Sequence, residues 1–75
     1  MLDDVRKILK DYYDIENVEL TSNFKKDFDL TSFDFVNLIY IVEEKYQIEI
    51  EEEKYRSLNT IEDLINYIEM LKGKQ

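Results

Sequence analysis

Apolar side chains recur at three- and four-residue steps in three separate stretches of this chain. Leu2, Val5, Ile8, Leu9 and Tyr12 make the first stripe, and Phe35, Leu38, Ile39, Val42 and Tyr46 the second. Ile61, Leu64, Ile65, Ile68 and Leu71 make the third. That period predicts amphipathic helices over residues 2–13, 32–47 and 61–72. Asp3 and Asp4 at the front of the first helix and Lys10 near its back match the helix dipole. Thr31 with Asp34, and Thr60 with Asp63, have capping-box spacing, and Gly73 is expected to stop the last helix. Ile48-Glu49-Ile50 alternates like a strand, but one strand has nothing to pair with, so it reads as an extended connection. Glu52 to Leu58 reads as a short helical turn with Tyr55 and Leu58 facing inward. The expectation is an all-α fold, a small four-helix bundle of three main helices and one short one, in a single domain over residues 1–75.

Residues 14–31 show no sustained helical period, and so long a connection in a small domain is often functional. Ile15, Val18, Leu20, Phe24, Phe28 and Leu30 are expected to pin it to the core.

Composition narrows the chemistry. The 75 residues include no Cys, His, Trp or Pro, and Gly73 is the single glycine. Disulfides, thiolate nucleophiles, Cys/His zinc sites, histidine acid–base pairs and Gly-rich phosphate loops are thereby excluded. Asp27-x-Asp29-x-Thr31 looks like the start of a calcium loop, but Ser32 stands where such a loop needs glycine and Leu38 where it needs a bidentate glutamate. No metal site and no catalytic residue is assigned. Hydrophobic content of 44% is too high for a disordered acidic tail. The start of the chain has no basic-then-apolar leader, and no apolar run spans a bilayer, so a cytoplasmic protein without membrane insertion is expected.

The charge is concentrated. Residues 27–53 hold nine acids and one base, which accounts for the whole net charge of −8; the other residues balance at nine each. Six tyrosines and four phenylalanines beside that charge argue for core packing, not for stacking on nucleic acid. The acids surround the predicted central helix, whose apolar content exceeds what one buried face needs. Phe33, Val36 and Tyr40 fall opposite the core stripe, with Asn37, Glu43 and Glu44 around them. A charge run is most often a solvated face; acids flanking a surplus apolar strip read instead as a docking surface for basic partners.

Asp27-Phe28-Asp29-Leu30-Thr31-Ser32-Phe33-Asp34-Phe35-Val36 resembles the modification-site motif of acyl carrier proteins and related thiolation domains, Asp-Leu-Gly-x-Asp-Ser-Leu before an acidic helix. The likeness runs on through Glu43-Glu44-Lys45-Tyr46, Ile48-Glu49-Ile50 and Leu58-Asn59-Thr60-Ile61-Glu62-Asp63-Leu64 to Tyr67-Ile68. It implies a carrier and not an enzyme. Ser32 corresponds to the serine on which a phosphopantetheinyl transferase places 4′-phosphopantetheine from coenzyme A. The thiol of that arm holds an acyl or aminoacyl group as a thioester. A helix start suits the phosphate of such an arm. The resemblance also implies that Phe33, Asp34, Val36, Asn37, Tyr40, Glu43 and Glu44 meet the basic and apolar patches of loading and processing enzymes. Glu52, Tyr55 and Arg56 would form the rim of an acyl-chain cleft that bulky Tyr40, Tyr46 and Tyr55 narrow. A monomer is expected.

Three positions depart from the pattern: Thr31 for the usual Asp, Asp29 for Gly and Phe33 for Leu. They point to a specialised carrier. Asp29 is expected to tolerate the left-handed turn that glycine would otherwise make. Two alternatives stand beside the fatty-acyl carrier: an unmodified acidic helical adaptor for a basic protein, and an aminoacyl or polyketide carrier of the same fold.

Overall fold

The computed structural model describes residues 1–73. Its elements follow in the order α1 (Leu2–Tyr13), α2 (Ser32–Tyr46), a short 3-10 helix (Glu52–Ser57) and α3 (Ile61–Lys72), with no strand among the described residues. The bundle is therefore all-α, as its periodicity predicts. Val5, Leu9, Leu38, Ile39, Val42, Ile61, Leu64 and Ile68 are completely buried and form one core with Phe24 and Leu30 of the first loop.

The first stripe needs one correction. Tyr12 is exposed, whereas Tyr13 is partly buried and donates its hydroxyl to the Asp34 carbonyl at 3.0 Å. Tyr12 falls within the stripe by the period but is the exposed ring, and Tyr13, at the stripe's edge, is the one that finds an acceptor for its hydroxyl and turns inward. α1 ends at Asp14, whose backbone is left-handed (φ 56°). Lys10 clamps that end through Asp14 at 2.9 Å and Glu16 at 2.7 Å. Those two hydrogen bonds, Glu16 first, hold the Lys10 ammonium well above its ordinary pKa, and Lys10 in turn holds the Asp14 carboxyl low.

With no glycine before residue 73, the chain turns on Asp14, Asn17, Asp29 and Gln47, all at positive φ. Short polar side chains that bond the local backbone tolerate that region best. Gln47, although longer, also takes this conformation as the left-handed cap of α2, its amide donating to the Glu44 carbonyl at 2.7 Å, and the helix ends at Tyr46, one residue earlier than the period indicates. Gly73 stops α3 as expected, though not through a left-handed turn. It ends α3 with φ −67° and ψ −15°, a right-handed backbone open to any residue.

The first loop is pinned as expected by Val18, Phe24 and Leu30, which are buried, and by Ile15 and Phe28, which are partly buried; Leu20 is exposed instead. Its backbone adds a tie that periodicity does not foretell. Phe24 N–H donates to the Asn59 carbonyl, Ile61 N–H to Ser22 and Glu62 N–H to Leu20, at 2.9–3.0 Å. Asn23 and Thr60 form an isolated antiparallel bridge. The loop thus docks on the start of α3, which leaves the start of α2 free. After α2, Ile48 and Ile50 are buried in an extended connection, and Ile50 N–H donates to the Glu43 carboxylate at 2.8 Å.

Candidate functional site

The N-terminus of α2 is built by a complete capping box. Thr31 Oγ1 accepts from Asp34 N–H at 3.0 Å, and Asp34 Oδ2 accepts from Thr31 N–H at 3.1 Å. Asp29, at φ 53°, turns the chain into this cap, so aspartate does serve where a glycine would be expected. Ser32 is the first residue of the helix and is exposed. The N–H groups of Ser32 and Phe33 lie in the first turn, before any intrahelical acceptor, and bond to nothing among the described residues.

The three serines differ sharply. Ser22 is buried, and its hydroxyl accepts from Glu19 N–H at 2.9 Å. Ser57 donates its hydroxyl to the Lys54 carbonyl at 2.8 Å. Ser32 is exposed, and its hydroxyl makes no hydrogen bond among the described residues. It is the serine hydroxyl best placed for attack on an external electrophile. No histidine exists to activate it, and the nearby Asp34 carboxylate is committed to the cap. Any base must come from a partner.

Beside Ser32 opens a cleft of about 340 Å³ between the first loop, α2 and the 3-10 helix. Phe24, Phe35 and Tyr55 give it an aromatic wall, stacked edge-to-face at 5.1 and 5.9 Å between ring centroids. Burial, with the charges of Glu43, Tyr40 and Glu52 behind it, raises the pKa of the Tyr55 hydroxyl. Arg56 and Lys25 stand among the residues lining the cleft; Glu52, expected on the rim, does not. Nor do all three tyrosines narrow it. Tyr40 faces solvent, and Tyr46 lies elsewhere, donating to Asp4 at 2.8 Å with Lys72 5.1 Å from its ring. Lys25 escaped the sequence reading because it lies just before the acidic segment at residue 27, where only the deficit of bases drew notice.

The docking residues read from the helical period and the resemblance divide into three groups. Phe33 and Tyr40 are 81% and 61% exposed, and Glu44 is exposed beside them. Val36 is partly buried and turns into the cleft, so it does not continue that strip. Asp34 closes the cap, Asn37 donates to the Tyr13 hydroxyl at 3.3 Å, and half-buried Glu43 holds Ile50 N–H. Each of these three has a structural task. A separate groove lined by Tyr40, Glu43, Glu44, Glu49 and Glu51 gathers the acids. Glu53, by hydrogen bond and by charge, raises the pKa of the Glu51 carboxyl there. Among the described residues, no group of three candidate ligands is placed to hold a metal ion.

An exposed, unbonded hydroxyl at a helix start, next to a cleft of this size, fits a covalently attached phosphate-linked arm. The first-turn N–H groups favour its charge, and the aromatic wall offers apolar cover. Known proteins point the same way. The family described as "Phosphopantetheine attachment site" matches residues 3–68. An acyl carrier protein of Chlamydia trachomatis is 38% identical over 69 residues, covering 89% of this chain and 90% of its own length. An acyl carrier protein of Campylobacter lari is 34% identical over 74 residues, covering 96% of each.

Proposed function

The chain belongs to the phosphopantetheine-binding family of acyl carrier proteins and carries acyl groups on a covalent 4′-phosphopantetheine arm; we propose that Ser32 bears that arm. The observation that supports this most is the free, exposed Ser32 hydroxyl at the start of α2, when the hydroxyls of Ser22 and Ser57 are hydrogen-bonded. The arm, once attached, supplies the thiol on which acyl groups ride. Ser32 Oγ forms the new bond to the phosphorus next to pantetheine as the pyrophosphate bond of coenzyme A breaks, adenosine 3′,5′-bisphosphate leaves, and the hydroxyl proton passes to a base of the transferase. The capping box holds the serine backbone fixed during that step, and the unpaired N–H groups of Ser32 and Phe33 favour the phosphate that results.

In this reading residues 1–75 act as one carrier domain and perform no catalysis. The partners are a phosphopantetheinyl transferase and the enzymes that load and process the cargo. Phe33, Tyr40 and Glu44 would make first contact with them, with Val36, Asn37, Glu43 and Asp34 behind and Glu52 and Arg56 on the neighbouring 3-10 helix. Exposed aromatics ringed by carboxylates fit a basic patch with an apolar centre. Among the described residues no helix is long and apolar enough to cross a membrane, and the cytoplasm is the proposed site of action.

The test is intact mass after incubation with coenzyme A, magnesium and a broad-specificity transferase. One phosphopantetheine is expected on the wild type and none on Ser32→Ala. An unmodified wild type with several transferases would leave the exposed Phe33 and Tyr40 strip as the docking face of an unmodified adaptor.

A further inference from the structure

Compared with four other depressions on the described surface, the Ser32 cleft is the one with cations and no carboxylate on its lining. Lys25 reaches it from the first loop and Arg56 from the 3-10 helix. Neither forms an ion pair with an acid among the described residues, in a chain of 18 acids and 10 bases. The groove at the C-terminal end of α2 is the reverse, with four glutamates and no base. Charge is thus sorted between the two.

We propose that Lys25 and Arg56 form a cationic cradle that holds the phosphodiester of the arm at the cleft mouth and lays the first part of the arm along Val36 and Tyr55. This rests on the reading of Ser32 as the attachment site. Ser32 is itself part of the lining, so a phosphate bonded to its Oγ is attached at the edge of the cleft that Lys25 and Arg56 also line. A protein of net charge −8 would otherwise repel that added negative charge. Arg56 offers a planar fork for two phosphate oxygens, and Lys25 a point charge on a flexible stem. Both cations are exposed, so the attraction weakens with salt.

The experiment compares melting temperatures of the unloaded and loaded forms of the wild type, Lys25→Gln, Arg56→Gln and the double variant. Both side chains are exposed, and neither makes a hydrogen bond or ion pair among the described residues, so the unloaded variants should melt with the wild type. Loading is expected to raise the wild-type melting temperature by about 2–4 °C, a shift typical of a sub-kilocalorie gain in a domain this small. The single variants should lose part of that rise, and the double variant should melt no higher loaded than unloaded. The wild-type rise should shrink between about 20 mM and 0.5 M salt, where screening shortens to a few ångströms. Nuclear Overhauser contacts from the arm's geminal methyls to Val36 and Tyr55 in the loaded wild type decide the question even where a variant loads poorly. Equal shifts on loading in the wild type and double variant, or an arm without such contacts, would overturn the cradle and leave Ser32 as the attachment site. A wild type that accepts no arm would overturn both.

Discussion

α2 and α3 begin with the same local chemistry and put it to different use. Thr31 with Asp34, and Thr60 with Asp63, make matching capping boxes with bonds of 3.0–3.2 Å. At α3 the next residue is Ile61, fully buried, and the first two N–H groups are taken up by the carbonyls of Ser22 and Leu20. At α2 the next residue is Ser32, exposed, and the N–H groups of Ser32 and Phe33 meet no acceptor among the described residues. One helix start is closed by the chain and the other is left open. Capping fixes where a helix begins; whether the first loop docks on it decides whether that beginning packs or presents.

Truncation at the first helical position should break this pair apart most visibly. Ile61→Ala removes a fully buried branched side chain and should cost about 2–5 kcal/mol, read by urea unfolding, which unfolds much of so small a domain. Ser32→Ala at the corresponding place should stay within about 0.5 kcal/mol of the wild type while losing all loading. A Ser32→Ala variant that unfolds would make the open terminus structural after all.

The caps themselves should behave alike. Thr31→Ala and Thr60→Ala should each cost about 1 kcal/mol in urea, the half-buried Thr60 somewhat more. Thr31→Asp keeps a good cap and restores the residue that the family pattern has there. It should leave stability nearly unchanged and speed loading by a housekeeping transferase, measured as the rate of adduct formation. A faster rate in the Thr60→Asp variant would show that the effect does not belong to the open terminus.

Two pH effects lie away from both termini and serve as controls. Tyr46 donates to Asp4, and burial first, then that bond, pushes its pKa up to about 12. The folded state keeps this proton where the unfolded chain has lost it. The stabilisation is therefore complete below pH about 10 and lost as pH rises toward about 12. Tyr46→Phe should cost about 1 kcal/mol at pH 7 and flatten that alkaline decline in melting temperature. The smallest effect concerns Glu51, whose carboxyl is raised by Glu53. The folded state there binds protons more readily than the unfolded chain, so stability should rise slightly as pH falls from 7 toward the ordinary glutamate range. Glu51→Gln should remove that rise. Loading at Ser32 should respond to neither substitution.

The helices were legible in the sequence because stripe and cap agreed: Leu38, Ile39 and Val42 with Thr31, and Ile61, Leu64 and Ile68 with Thr60. The motif singled out Ser32, and the structure places that serine exposed at the start of α2. The loop's docking on α3 was not, because it runs through backbone groups of Leu20, Ser22 and Asn59 that carry no side-chain signature. Single turns of rotation were also lost. Tyr12 lies on the stripe by the period yet is exposed, and Val36 lies between strip and cleft, where a helical wheel alone cannot choose. Glu43 read as a docking acid because its bond to Ile50 N–H spans a turn that periodicity does not describe. Lys25 and Arg56 stand far apart in sequence and become neighbours of Ser32 only across the folded cleft.

The most direct test of the open terminus is fragmentation of the loaded wild-type protein to locate the arm. The adduct should fall on Ser32 alone, with Ser22 and Ser57, whose hydroxyls are engaged, unmodified. An arm on either of those serines would contradict the assignment of the open start of α2 as the site that carries it.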